Sequence, residues 1–228
     1  MIKGKLKNME KVYNITLDGP SGSGKSTIAK ALADKLGITY LDTGAMYRAV
    51  GYYMLENKID VSKEEDVVPH LDEIDLVVKD EGKQEVILNG KDIAGSIRTP
   101  EISMAASTVS KIPAVRLKLV ELQRKMASQY SMILDGRDIG SYVLPDAEYK
   151  FYLTADVEVR AKRRYLELKN KGEDVSLSQV KEQMIARDEQ DSSRAFAPLC
   201  VPTGAYVIDT SNLGIDEVLD IVINKINR

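Results

Sequence analysis

The chain has no tryptophan, one cysteine and one histidine, and its acidic and basic residues nearly cancel. Each scarcity excludes something. With Cys200 alone there is no internal disulfide framework, and no Cys/His cluster has metal-ligand spacing, so Cys200 reads as a plain structural thiol. The single histidine, His70, lies in an acidic helical stretch without an obvious partner, which argues for a solvated surface residue and against histidine catalysis. A formal charge of −3 argues against a general nucleic-acid binder, which is usually basic. No run approaches the ~18 apolar residues of a membrane span, and the N-terminus lacks the apolar core of a signal peptide. The expectation is a cytoplasmic protein with no membrane or nucleic-acid partner.

What is present supports a folded α/β protein. A hydrophobic content of 43% can build a core, and 29% charged residues cover its surface. The 228 residues suffice for one domain with an elaboration, or for two small ones. Strand-like segments at Val12–Asp18, Thr39–Asp42, Ser131–Asp135, Tyr149–Thr154 and Ala205–Asp209 alternate with helical patterns. The helices are expected at Lys25–Leu36, Gly44–Glu56, Ala114–Ser128, Asp156–Asn170, Leu177–Ser192 and Asp216–Asn227. This alternation predicts a three-layer fold, a central parallel sheet of about five strands with helices on both faces. Residues 1–10 form a short basic stretch expected to be a flexible extension.

One region, 60–97, breaks the alternation. Ile74–Val78 and Glu85–Leu88 both have the two-residue period of a strand, joined through Asp80-Glu81-Gly82-Lys83, and Asn89-Gly90 marks a second tight turn before Lys91-Asp92-Ile93. The expectation is a small antiparallel β insert in a core made of 11–59 and 98–228.

The strongest signal is Gly19-Pro20-Ser21-Gly22-Ser23-Gly24-Lys25-Ser26-Thr27, which fits G-x-x-x-x-G-K-[ST] between a strand and a helix. Glycines let successive backbone N–H groups turn inward on phosphate oxygens, and the helix N-terminus adds partial positive charge. In this pattern Lys25 bridges the β- and γ-phosphates and the Ser26 hydroxyl is a candidate Mg²⁺ ligand. The chain is expected to bind a nucleoside triphosphate through Gly19, Pro20, Ser21, Gly22, Ser23, Gly24, Lys25, Ser26 and Thr27.

Where the phosphoryl group goes is indicated by charged residues after two further strands. Asp42-Thr43-Gly44-Ala45-Met46-Tyr47-Arg48 follows the second strand, and Asp135-Gly136-Arg137-Asp138 follows the third, both at the carboxyl edge where ligands collect. Arg187, Asp191 and Arg194 are spaced four and three apart, on one helix face. Taken singly, such runs are more often solvated surface than site.

Together with Gly95-Ser96-Ile97-Arg98-Thr99, Ala105-Ala106-Ser107 and Arg194-Ala195-Phe196-Ala197-Pro198-Leu199, these runs resemble the bacterial cytidylate kinases, a family of phosphate-loop nucleoside monophosphate kinases. The similarity runs from the glycine loop to the C-terminal helix. It implies transfer of the γ-phosphoryl of ATP to CMP or dCMP with Mg²⁺, giving ADP and CDP or dCDP. Lys25, Arg160, Arg164 and Arg194 are then catalytic. Arg160, Arg163 and Arg164 would belong to a lid around 157–171 that closes over ATP. The acceptor would be held by Thr43, Arg48, Ser107, Arg116, Arg137, Asp138, Arg187, Asp191 and Arg194. Asp138 suits the N4 amino group of cytosine, and Arg116 its N3 or O2. A regulatory GTPase or motor ATPase would share the loop but act as a switch, and nucleotide turnover that does not depend on CMP would favour that class. A kinase for another small acceptor shares the fold. A monomer is expected, since no uncommitted apolar helix face is evident.

Overall fold

The structure, a computed structural model, describes residues 12–80 and 84–227. The expected extension at 1–10 and the link through Glu81-Gly82-Lys83 lie outside the described residues. In chain order the main elements are β1 (Asn14–Asp18), α1 (Lys25–Leu36), β2 (Thr39–Asp42), α2 (Thr43–Glu56), β3 (Leu76–Asp80), β4 (Gln84–Leu88), β5 (Lys91–Asp92), α3 (Pro100–Val109), α4 (Pro113–Gln129), β6 (Met132–Gly136), β7 (Tyr149–Thr154), α5 (Val157–Asn170), α6 (Leu177–Ser192), β8 (Tyr206–Asp209) and α7 (Ile215–Ile226). The sheets are a five-stranded one, ordered β2-β6-β1-β7-β8, and a three-stranded one, ordered β3-β4-β5. Among the described residues no helix is long and apolar enough to cross a membrane.

By compactness the chain divides into two units, one of residues 1–38 with 131–228 and one of Thr39–Tyr130. The second therefore extends beyond the 60–97 insert on both sides and takes in α2, α3 and α4.

In the first unit β1 pairs in parallel with β6 on one side and β7 on the other, Ile15 facing Ile133 and Tyr149. Ile15, Leu17 and Met132 to Leu134 are completely buried, as expected of parallel strands covered on both faces. Apolar residues of α7 recur at Val218, Leu219, Val222, Ile223 and Ile226, one helical stripe, and this stripe is buried. The helix lies against α1, whose own buried stripe is Ile28, Ala29, Leu32, Ala33 and Leu36. Between α5 and α6 a separate small core forms from Ala161, Leu168, Val180 and Met184, with Tyr165 and Val175 packed on it. A capping box starts α6, Ser176 accepting from the Gln179 backbone while the Gln179 side chain returns to Ser176 N.

In the second unit Asp42 caps α2 by accepting from Ala45 N at 3.0 Å. Helices α2 and α3 pass so closely at Gly51 that a Cβ there would stand 2.9 Å from the backbone nitrogen of Ala106. The helix α3 lay outside the expected set, although Thr99 at its N-cap and Pro100 in its first turn are ordinary start signals. The small antiparallel sheet follows the expected two-residue period. Leu76, Val78, Val86 and Leu88 are buried while Val77 is exposed. Asn89 and Gly90 have φ of 49° and 80°, the backbone that a two-residue hairpin requires. His70, expected to lack a partner, shares a 3.1 Å hydrogen bond with Glu73 one helical turn on. Cys200 is free and exposed.

Candidate active site

The glycine loop leaves β1 through three left-handed turns of backbone. Gly19, Gly22 and Gly24 have φ of 147°, 75° and 88°. At Gly19 space as well as conformation forbids a side chain, and at Gly22 it crowds one. A Cβ on Gly19 would stand 2.0 Å from the Leu153 carbonyl oxygen, and one on Gly22 would stand 2.9 Å from Met184 Cε. Gly24 is the N-cap of α1, so the loop's last peptides point along a helix N-terminus.

Lys25 is buried, with Nζ donating to the Pro20 carbonyl at 3.1 Å. Burial, and after it the neighbouring Arg137 guanidinium, hold its ammonium well below the usual lysine range, opposed by Asp135. An anion placed here would reverse that depression. Ser26 Oγ donates to Asp135 Oδ2 at 2.5 Å. Hydroxyl and carboxylate oxygens are the hard donors that Mg²⁺ prefers, and the pair fits that ion by its donor set. Among the described residues no group of three or more His, Cys, Asp or Glu could hold a metal. The ion's remaining ligands would then be phosphate and water.

The loop is also braced from behind. Thr210, buried just past β8, places Oγ1 3.0 Å from the Ser23 carbonyl and 3.1 Å from that of Thr154. Arg163 fastens it, donating to Thr210 Oγ1 at 3.1 Å and to its carbonyl at 2.6 Å. Arg160 is buried as well. It donates to the Ala155 carbonyl at 2.8 Å, to the Ser21 carbonyl at 3.1 Å and to Asp188 at 2.6 Å. Arg164 points elsewhere, pairing with Glu167 at 2.7 Å. Of the three arginines expected in a lid, two are thus engaged at the foot of α5.

A second charged cluster surrounds Asp191, which is almost completely buried. Its carboxylate accepts from Arg137 Nε at 2.8 Å and from Arg194 Nη2. Burial alone would raise the carboxyl, but Arg137, Arg194 and Arg187 together hold it below the usual range. One carboxylate among three guanidiniums leaves net positive charge, and the planar forks suit phosphate oxygens.

Asp18 ends β1 completely buried, and accepts from Ile139 N at 2.8 Å and Gly140 N at 2.7 Å. Burial pushes its carboxyl up to about 7, with the two backbone donors and Lys25 pulling the other way and Asp138 adding repulsion. Asp138 is itself buried, at the start of a π-helical turn over Ile139–Val143.

In the second unit Arg48 pairs with Asp42 at 2.7 Å, and the more exposed Arg98 approaches the same carboxylate at 3.8 Å. Arg116 is fully buried, donating to the Ser110 carbonyl at 3.2 Å with its guanidinium 5.6 Å from the centre of the Tyr47 ring. Thr43 is buried in the first turn of α2, and Ser107 is partly buried on α3.

The structure thus groups Lys25 and Ser26 with Asp135, and Arg137 and Arg194 with Asp191. Three residues given no role from the sequence enter here: Asp18, Asp135 and Thr210. Asp135 could have been found from its place at a strand end ahead of Arg137, whereas Asp18 and Thr210 gain meaning only from partners far along the chain.

A strand, a glycine loop ending in Lys-Ser and a carboxylate closing the neighbouring strand define a phosphate-loop nucleotide-binding protein. The family profile described as cytidylate kinase matches residues 15–228. The cytidylate kinase of Caldicellulosiruptor bescii is 51% identical over 214 residues, covering 93% of this chain and 95% of that protein. That of Clostridioides difficile strain 630 is 51% identical over 213 residues, covering 93% and 97%. A crystal structure of a protein from Eubacterium ventriosum shares the fold at 16% identity, with a TM-score of 0.53 over 94% of this chain and 98% of that one. The chain belongs to the cytidylate kinase family.

Proposed function

We infer that the protein is an ATP-dependent transferase that moves the γ-phosphoryl group of ATP to CMP or dCMP, giving ADP and CDP or dCDP. The observation that carries this reading is the pairing of Arg137 and Arg194 on buried Asp191, in a chain whose glycine loop and family are those of a nucleotide kinase. Phosphoryl transfer between nucleotides asks little covalent chemistry of a protein. It asks that two anions be aligned and their charge neutralised.

The loop amides from Gly19 to Thr27 and the Lys25 ammonium hold the donor phosphates. Ser26 and Asp135 hold Mg²⁺, which when bound neutralises charge on the donor's phosphate oxygens. Arg137 and Arg194 hold the acceptor phosphate, with Arg194 also stabilising the transferring group. Arg187 and Asp191 face the pentose. Asp138 accepts from the N4 amino group of cytosine, a contact that uracil, with an acceptor at that position, cannot make. Family resemblance gives Arg48 and Thr43 to the acceptor phosphate, Arg116 to N3 or O2 of the base and Ser107 to a further base contact. Arg160 and Arg164 act on the transferring phosphoryl from a lid over 157–171, and residues 60–97 form the insert of the monophosphate-binding region. A monophosphate oxygen is already ionised at neutral pH, so no general base is needed. A cytoplasmic monomer with no nucleic-acid partner completes the proposal.

The test is ADP release from ATP and Mg²⁺ across a panel of CMP, dCMP, UMP, AMP and shikimate. Release that requires CMP or dCMP supports the reading. Turnover independent of any acceptor, or greatest with AMP or shikimate, overturns it.

A further inference from the structure

Asp18 sits where the strand feeding the phosphate loop ends. Both oxygens of its carboxylate are spent on the chain 121 and 122 residues later, one on Ile139 N and one on Gly140 N. These are the first two amides of the π-helical turn, where N–H groups have no partner within the turn itself. A completely buried carboxylate is costly to keep unless its oxygens are matched in this way. The residue just before those amides is Asp138, and the Asp138 carbonyl accepts from Tyr142 N at 2.9 Å and Val143 N at 3.1 Å. The main chain following Asp138 is therefore held by its own turn and by Asp18.

The packing on the other side agrees. Gly140 comes so close to β1 that a Cβ there would stand 2.7 Å from Thr16 Oγ1 and 3.2 Å from Asp18 Oδ2. Bare backbone is required if the amides are to reach the carboxylate. π-Helical turns are rare in proteins and frequently lie at functional sites.

We propose that Asp18 is a positioning residue for base recognition, fixing the Ile139–Gly140 amides and through them the depth and angle at which Asp138 meets the acceptor base. The proposal rests on the reading of Asp138 as the residue that faces the cytosine N4 amino group. It ties the strand that carries the donor loop to the residue that inspects the acceptor.

Two substitutions perturb the same contact from opposite sides. Asp18→Asn keeps the shape, but an amide has one acceptor oxygen and would turn its NH₂ toward a backbone donor. Gly140→Ala leaves Asp18 intact and pushes the turn off β1. Each protein is checked for its fold by circular dichroism, and kcat and KM are measured with ATP, CMP and UMP. The expected result is a CMP over UMP ratio of kcat/KM lowered by about tenfold or more, the scale of lost outer-sphere support, with KM for CMP rising more than KM for ATP. If one variant does not fold, the other decides. An unchanged ratio overturns the proposal, and so does a rise in KM confined to ATP, which would make Asp18 a support of the phosphate loop. Asp138→Asn separates the two levels. If it collapses the ratio while Asp18→Asn and Gly140→Ala do not, the positioning role alone is wrong. If it leaves the ratio unchanged, the base-reading assignment falls and this inference with it.

Discussion

The hydroxyl of Ser26 donates to the Asp135 carboxylate across 2.5 Å, joining the first turn of α1 to the end of β6. The two residues are 109 apart in sequence, and the contact brings together a hydroxyl and a carboxylate, oxygens of the kind a divalent ion prefers.

Replacing Asp135 should therefore change the dependence on metal more than the dependence on acceptor. Asp135→Asn is expected to raise the Mg²⁺ concentration for half-maximal activity by about 10–100-fold, with KM for CMP nearly unchanged. Mg²⁺ titration of ADP release checks this. An unaltered Mg²⁺ midpoint in a folded variant would remove Asp135 from the ion.

Asp138→Asn supplies a donor where a pure acceptor stood. Activity with CMP should fall and the gap to UMP narrow by about 1–3 kcal/mol, the scale of one base-edge contact. The ratio of kcat/KM for the two acceptors is the readout. Should Arg116→Ala collapse that ratio while Asp138→Asn leaves it alone, Arg116 is the reader of the base.

Stability should carry the signature of Asp18. Its carboxyl titrates near 7 in the folded protein and near 3.8 in the unfolded chain, because burial outweighs Lys25 and the Ile139 and Gly140 amides, while Asp138 adds to the rise. Tyr152 of β7 is the other titratable neighbour and is itself shifted up. Between those pH values the folded state keeps a proton that the unfolded chain has lost, so this residue's contribution to stability falls as pH rises and levels off above about 7. Asp18→Asn lacks the titration. The unfolding free energy of the parent minus that of the variant, from denaturant titration, should thus decline from pH 4 to pH 7, by on the order of a few kcal/mol. A difference that is flat, or that grows with pH, would contradict the assignment.

Motion in α5 should be graded along its length. Arg160 and Arg163 pin its first turns to Ser21, Asp188 and Thr210, and Leu168 packs on the small core shared with α6. Amide exchange is expected to be slow at Arg160 and faster around Lys169 to Gly172, and to slow further there with CMP and a non-hydrolysable ATP analogue. Fast exchange at Arg160 in the free protein would refute the pinning.

The parts legible in the sequence were those whose signal is local. Lys25–Leu36 and Leu177–Ser192 were expected with the bounds observed, because their ends carry Gly37 and the Ser176 box. The glycine loop was legible because its backbone needs glycine at fixed offsets. The helix Pro100–Val109 was given no bounds, although Ser107 falls in a helical stretch and Thr99 before Pro100 is a local start signal. Asp18 and Thr210 were illegible for a different reason. Each is an ordinary small polar residue at a strand end, and its task is set by a partner far along the chain, Ile139 for Asp18 and Ser23 for Thr210. The π-helical turn has no composition of its own to betray it.

The clamp at Thr210 has a consequence for how the protein is made. Synthesis runs from the N-terminus, so the nucleotide loop leaves the ribosome long before the hydroxyl that braces Ser23. β1 waits too, since both of its strand neighbours, β6 and β7, come more than a hundred residues later. A nascent chain stalled before Thr210 should bind ATP poorly even with every loop residue exposed, and gain affinity sharply once the last strand emerges. Nucleotide capture is then expected late in biogenesis, after the strand ahead of Thr210 has emerged.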